Sequence, residues 1–378
     1  MTVTPIPTYI VTGFLGSGKT TLLRQLLRDP AYSDTAVIVN EYGEVSLDHD
    51  LIAYATERTV VLKGGCVCCT VREDLEITIR ELLSQADKGE IPRFRRLVIE
   101  TTGLANPVPL LFTLQTNPLA ASRLELHGVL TTVDAVLASS TLRRHPECEK
   151  QIAAADRLVV TKRDLVGGKA LAVLTAALKL VNPWAKVTGL NLLKDDSSDL
   201  FVRNLHGFSR RYRQPENWVM GRNGFAPGQA VGNADAHHHL GGRTRSFCLT
   251  YDEAMDWTAF GIWLTMLLHR HGERVLRVKG LLNVKGLAGP VVIHGVQHIV
   301  HPLAHLERWP SEDHRSRIVF IAQDIDPALL EMSWKAFASA ATAGVKFRSD
   351  INYKPAGSGG VIAGRPIRRA TAPAWIKG

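Results

Sequence analysis

Residues 13–20 read Gly13-Phe14-Leu15-Gly16-Ser17-Gly18-Lys19-Thr20, the spacing G-x-x-x-x-G-K-[ST], and each residue type has a task if the ligand is a polyphosphate. Glycines let the backbone turn so that successive N–H groups wrap an anion, and a helix beginning here adds the partial positive charge of its N-terminus. In such a loop Lys19 reaches the β- and γ-phosphates, the Thr20 hydroxyl binds Mg²⁺, and the backbone of Phe14, Leu15, Ser17 and Thr21 completes the wrap. Residues 97–103, Leu-Val-Ile-Glu100-Thr-Thr-Gly103, form an apolar run that ends in a carboxylate and is followed by a glycine. Glu100 there holds Mg²⁺ directly or through water, and the Gly103 N–H senses the γ-phosphate. Lys19, Thr20 and Glu100 are therefore the candidate catalytic residues. Base choice falls to Thr161-Lys162-Arg163-Asp164, which fits [NT]-K-x-D. The Asp164 carboxylate accepts from guanine N1–H and N2–H₂, a pair adenine does not offer, while the Lys162 stem packs on the base.

A second chemistry lies between these motifs. Cys66, Cys68 and Cys69 occupy three of four consecutive positions, and Glu44 stands upstream in the segment 40–49. Thiolates are soft ligands that suit Zn²⁺, Cu⁺ or Fe, and three so placed supply three corners of a tetrahedron, with Glu44 or a histidine as the fourth. The chain has five cysteines, an odd number whose crowding ill suits a disulfide framework. Cys148 and Cys248 read as solitary thiols. Ten of the fourteen histidines follow residue 236. The run His237-His238-His239 is either a weak Zn²⁺, Ni²⁺ or Co²⁺ tract or incidental. The spacing of His294, His298, His301 and His305, in a stretch read as strand, argues against one coordinating face and for packing or surface roles.

The elements that must position these residues alternate in type. Short β-branched runs at 8–11, 35–40, 97–100, 128–134 and 158–161 read as buried strands, and 20–28, 74–85 and 170–180 read as helices. This βαβ punctuation implies an α/β nucleotide domain with a mostly parallel sheet over residues 1–193. A polar, Gly-rich flexible connector spans 194–243. A smaller C-terminal α+β domain follows over 244–340, its strands at 246–250, 275–282, 291–301 and 317–322 and its helices at 257–271 and 327–338. Residues 341–378 form a loosely ordered tail.

With 378 residues and 45% hydrophobic content the chain supports two cores. It shows no leader pattern, and its longest apolar run, at 263–268, is too short for a bilayer, so a cytoplasmic protein without membrane contact is expected. The net charge of +9 is spread along the chain without an aromatic-basic motif, which argues against nucleic acid as a partner.

The motifs GFLGSGKTTLL, NEYGEVSLDH, GGCVCCT, IETTGLANP and QIAAADRLVVTKRDL occur in the order of the CobW family of metallochaperone-type GTPases. The chain resembles that family closely over 8–191 and, through GVQHIVHP and SRIVFI, less closely over 244–338. The resemblance implies a P-loop GTPase domain with a CobW-type C-terminal domain and slow hydrolysis of GTP to GDP. It also implies a transition metal at the CxCC cysteines, Zn²⁺ first and Co²⁺ or Fe²⁺ next, handed to a client metalloprotein. A homodimer is compatible with this reading. Many members carry Asn where this chain has Thr161, which is expected to weaken one contact behind the phosphate loop. Two rival readings remain: a metal buffer or scaffold that GTP only stabilises, and a P-loop small-molecule kinase with a structural CxCC.

Overall fold

The computed structural model describes residues 4–39, 60–63, 71–189, 201, 244–301 and 303–342. Glu44, Cys66, Cys68, Cys69 and the run 237–239 lie outside the described residues, as do the connector and tail apart from residues 201, 341 and 342.

Seven strands, β1 (Ile6–Gly13), β2 (Thr35–Val39), β3 (Val60–Lys63), β4 (Arg96–Glu100), β5 (Leu124–Asp134), β6 (Arg157–Thr161) and β7 (Lys186–Gly189), form one sheet. Its order is β3-β2-β4-β1-β5-β6-β7, and every neighbouring pair is parallel. Parallel strands need crossovers, supplied by α1 (Lys19–Arg28), α2 (Val71–Lys88), α3 (Val108–Thr116), α4 (Pro118–Arg123), α5 (Ala138–Arg144), α6 (Pro146–Ala154) and α7 (Gly168–Val181). Because helices cover both faces, the strands are apolar at consecutive positions rather than alternate ones. Ile10, Ile38 and Ile99 pack with Ile79 and Leu82 of α2 and Leu111 of α3. Their neighbours Tyr9, Val11, Val37 and Val98 pack with Leu22, Leu23, Leu26 and Leu27 of α1. Burying each such leucine is worth about 1.5–3 kcal/mol, which fixes where α1 lies and so where its N-terminus points.

The second sheet is antiparallel and contains β8 (Thr244–Tyr251), β9 (Val275–Leu282), β10 (Val291–Val296), β11 (Ile299–Val300), β12 (Ala304–His305) and β13 (Ser316–Gln323). Its path is β11-β10-β9-β13-β8, with β12 also on β10. Helices α8 (Trp257–His271) and α9 (Pro327–Thr342) cover one face through Phe260, Trp263 and Trp334 against Phe320. The stretch 291–301, expected as one strand, is a hairpin. Gln297 turns the chain at φ 51°, and Gly295 pairs with Val300.

The other face of β9 meets the first sheet's helices. Arg277 and Lys279 alternate with Val278, so they point away from α8 and α9. Arg277 is fully buried. It donates through Nη1 to the carbonyls of Ala153, Ala154 and Ala155 (3.2, 2.7 and 2.6 Å) and through Nη2 to Asp156 Oδ1. It also lies 3.0 Å from His294 Nε2; since a guanidinium only donates, that nitrogen is the acceptor and the ring proton sits on Nδ1. Asp156 Oδ2 accepts from Val129 N at 2.9 Å. Burial, reinforced by Arg277, pushes the Lys279 ammonium down to about 7 against the pull of Asp156. Glu149 of α6 accepts from Thr244 and Gln323. Val296 and Ile299 of the hairpin join the core formed by α2 and α3.

Candidate active site

β1 delivers the chain into the phosphate loop and α1 carries it away. Gly13, Gly16 and Gly18 have φ of 141°, 71° and 93°, backbone that residues with a Cβ rarely adopt. At Gly13 a Cβ would also stand 2.3 Å from Thr132 Oγ1. Helix α1 starts without a side-chain cap and without an acidic residue in its first turn, which suits its N-terminal N–H groups to an anion. Lys19, 9% exposed, donates to Gly13 O at 3.0 Å and Phe14 O at 3.3 Å. Behind the loop Ser17 Oγ lies 2.6 Å from Thr132 Oγ1, and Thr161 Oγ1 donates to Ser17 O at 2.8 Å. The contact expected to weaken at Thr161 is thus present, because a hydroxyl at the end of β6 reaches the loop carbonyl.

In the register of the sheet Val11 stands beside Glu100, so β4 ends next to the phosphate loop. Thr20 Oγ1 donates to Glu100 Oε1 at 3.0 Å, and Glu100 is buried. A hydroxyl and a carboxylate converging from α1 and β4 are hard oxygen donors, and this pair fits Mg²⁺. The turn after Glu100 is held by Thr101, whose N–H donates to Val11 O and whose hydroxyl donates to Thr12 Oγ1. Gly103 packs directly on the phosphate loop, and a Cβ there would stand 2.6 Å from Leu15 N.

Thr161, Lys162 and Asp164 follow one another at the end of β6. Lys162 takes the left-handed conformation, φ 53°, and residues Arg163–Leu165 form a 3-10 turn that leaves Asp164 exposed. Lys162 Nζ is held 2.7 Å from Asp134 Oδ2. Asp134 ends β5, opposite Thr161, and its other oxygen accepts from Val136 N and Leu137 N. Asp134 was not among the expected site residues. Its only sequence signal is a carboxylate at a strand end, the same signal that marks Glu100. Phe14 and His145 lie beside this region with ring centroids 4.6 Å apart.

The CxCC cysteines lie outside the described residues, but the strand that leads to them does not. In β2–β3 pairing Val39 stands beside Lys63, and in β2–β4 pairing Val39 stands beside Glu100. Lys63, three positions before Cys66, therefore shares a row with Glu100. Among the described residues no group of three or more His, Cys, Asp or Glu is placed to hold a metal. Cys148 is buried, and desolvation, aided by Glu147 and Glu149, pushes its thiol up to about 12. Burial raises Cys248 as well; both are solitary protonated thiols. The hairpin stacks His294 on His301 with centroids 4.5 Å apart. His301 contacts Gln115 of α3, and His298 packs against Phe112. These histidines serve domain packing.

Residues 7–189 match the model of the CobW/HypB/UreG nucleotide-binding domain, and residues 244–338 match that of the cobalamin synthesis protein cobW C-terminal domain. The chain belongs to the CobW family of P-loop GTPases. Similar proteins include the zinc chaperone YjiA of Escherichia coli (strain K12), 34% identical over 318 residues that make up 84% of this chain and 94% of the relative. The zinc-regulated GTPase metalloprotein activator 1 of Schizosaccharomyces pombe is 28% identical over 357 residues, 87% of this chain and 82% of that one. A crystal structure of Zn(II)-bound YjiA GTPase from E. coli superposes with a TM-score of 0.69 at 28% identity, covering 89% of this CobW-family chain and 99% of its own. Among the described residues no helix is long and apolar enough to cross a membrane.

Proposed function

We propose that this GTPase couples its nucleotide cycle to a transition metal, Zn²⁺ first and Co²⁺ or Fe²⁺ next, held by Cys66, Cys68 and Cys69 with Glu44, and that it passes the metal to a client metalloprotein. The observation that carries the reading is the row Lys63–Val39–Glu100 across neighbouring parallel strands. Strands lie about 4.8 Å apart, so the chain leaves β3 for the cysteines roughly two strand spacings from the carboxylate that meets Thr20. Crevices at the carboxyl ends of parallel strands are where such sheets bind ligands. Relatives named zinc chaperones support zinc as the cargo.

In this reading the loop glycines and the α1 N-terminus hold the phosphates and Lys19 bridges to the γ-phosphate. Thr20 and Glu100 hold Mg²⁺, which when bound neutralises charge on the phosphate oxygens. Gly103 senses the γ-phosphate. Segment 40–49 carries Glu44, so ordering it around GTP changes the ligand set available to the metal. By linkage, bound metal shifts nucleotide affinity by the same factor. The test is a competition titration of Zn²⁺ against the full chain loaded with GDP or with a non-hydrolysable GTP analogue. A difference of about 5- to 150-fold is the usual range for such coupling, and equal affinities would end the coupling proposal.

Guanine selection by Asp164 is tested separately. Asp164→Asn exchanges an acceptor oxygen for a donor facing guanine N1–H and N2–H₂. Hydrogen bonds to a charged group are each worth about 1.5–3 kcal/mol, so GTP affinity should fall by about 10- to 100-fold or more. Xanthosine triphosphate, which offers a carbonyl at that edge, should become the preferred nucleotide. Unchanged GTP affinity in a fluorescent-nucleotide displacement assay would remove Asp164 from the base site.

A further inference from the structure

Helix α6 lies under the turn that follows Glu100, and one side chain ties the two together. Gln151 is 1% exposed, and its Nε2 donates to Gly103 O at 3.1 Å and to Ala105 O at 3.0 Å. Both amide hydrogens go to one short stretch of backbone, while Oε1 has no hydrogen-bond partner among the described residues. An acceptor buried in that way costs free energy, so the orientation of the amide is maintained by its two donors. Ala105 N donates to Thr102 O, closing the turn. Gly103 is therefore set between Leu15 of the phosphate loop on one side and Gln151 on the other.

Helix α6 is in turn gripped by the second sheet at two places. Glu149 accepts from Thr244 and Gln323, and the carbonyls of residues 153–155 accept from Arg277. Thr131 Oγ1 adds a bond to the Gln151 carbonyl at 2.9 Å. The helix thus joins the turn at Gly103 to β8, β9 and β13 through side chains that are all buried or half-buried.

We infer that Gln151 is a positioning residue for GTP hydrolysis. Its amide fixes the peptide planes just after the Gly103 N–H, and it makes α6, with the second domain clamped to it, part of the unit that follows the γ-phosphate. The inference rests on the assignment of Gly103 as the γ-phosphate sensor. Gln151→Met keeps length and helix propensity but removes both donors, and Gln151→Glu sets an anionic oxygen against the two carbonyls.

Misplacing a catalytic group by about 1 Å costs up to about 100-fold in rate. Each variant is therefore expected to lower kcat at least tenfold while GDP affinity stays within about threefold, and to lose the preference for a non-hydrolysable GTP analogue over GDP. A purely structural glutamine would lower the melting temperature and leave kcat below the transition unchanged, which would overturn the inference. If wild-type protein itself binds GDP and the analogue identically, the sensor assignment at Gly103 is what fails, and the inference fails with it. A second measurement needs no variant. Hydrogen exchange of the wild-type chain in the two nucleotide states should change protection in residues 101–107 and 146–156 together; a change confined to the turn would also overturn it.

Discussion

Lys19→Ala is expected to lower the rate of GTP hydrolysis by about 10²- to 10³-fold, the effect of removing one preorganised group that stabilises transition-state charge. The ammonium is buried and held over the loop by the carbonyls of Gly13 and Phe14. Its position thus follows from the backbone of glycines with positive φ and needs little rearrangement when phosphate oxygens arrive. The α1 N-terminus and the loop N–H groups stay in place in the variant, so GDP should still bind, more weakly. Single-turnover phosphate release separates the two effects. A variant that hydrolyses GTP at the wild-type rate would remove Lys19 from the catalytic machinery.

The second large effect is on stability. Arg277→Met removes a cation whose donors cap the C-terminal carbonyls of α6 and pair with Asp156. The side chain length is kept, so the loss is mainly of charge and hydrogen bonds. Breaking a buried pair from one side costs about 3–5 kcal/mol, because the remaining charge stays desolvated. Asp156 would retain Val129 N at 2.9 Å and Lys279 at 3.7 Å, too little to replace a guanidinium. At about 2–4 °C per kcal/mol the melting midpoint should fall by roughly 6–20 °C. Scanning calorimetry of the variant, of Asp156→Asn and of the double mutant measures the pair directly. A loss under about 1 kcal/mol would show that the pair contributes no more than a surface bridge.

The phosphate loop was legible because everything it needs is local. Gly13, Gly16 and Gly18 are demanded by backbone angles at those positions, and Lys19 and Thr20 follow within one turn of helix. The ends of β4 and β6 were legible for the same reason, since an apolar run that stops at a polar residue marks where a buried strand gives way to a loop, even though Glu100 and Thr161 are themselves buried. Other features were hidden. The hairpin within 291–301 turns at Gln297 and His298 without Gly, Pro or Asn to signal it, so a period-of-two reading runs straight through. Asp134 carries in the sequence only the signal of a strand-end carboxylate, and its pairing with Lys162 follows from β5 and β6 lying side by side.

Composition and local pattern by themselves determined that this chain folds as a parallel α/β domain carrying a G-x-x-x-x-G-K-T loop, a T-K-x-D strand end and three closely spaced cysteines, followed by a smaller α+β domain. Only tertiary structure decided which distant polar groups are desolvated together. Arg277 counts in the sequence as one of many scattered basic residues, yet it is fully buried on a carboxylate 121 positions away. Gln151 stands in the sequence only as the first residue of QIAAADRLVVTKRDL, yet it holds a turn 46 to 48 positions upstream. Backbone propensity acts over a few residues, whereas the cost of burying a polar group depends on the partner the fold brings to it.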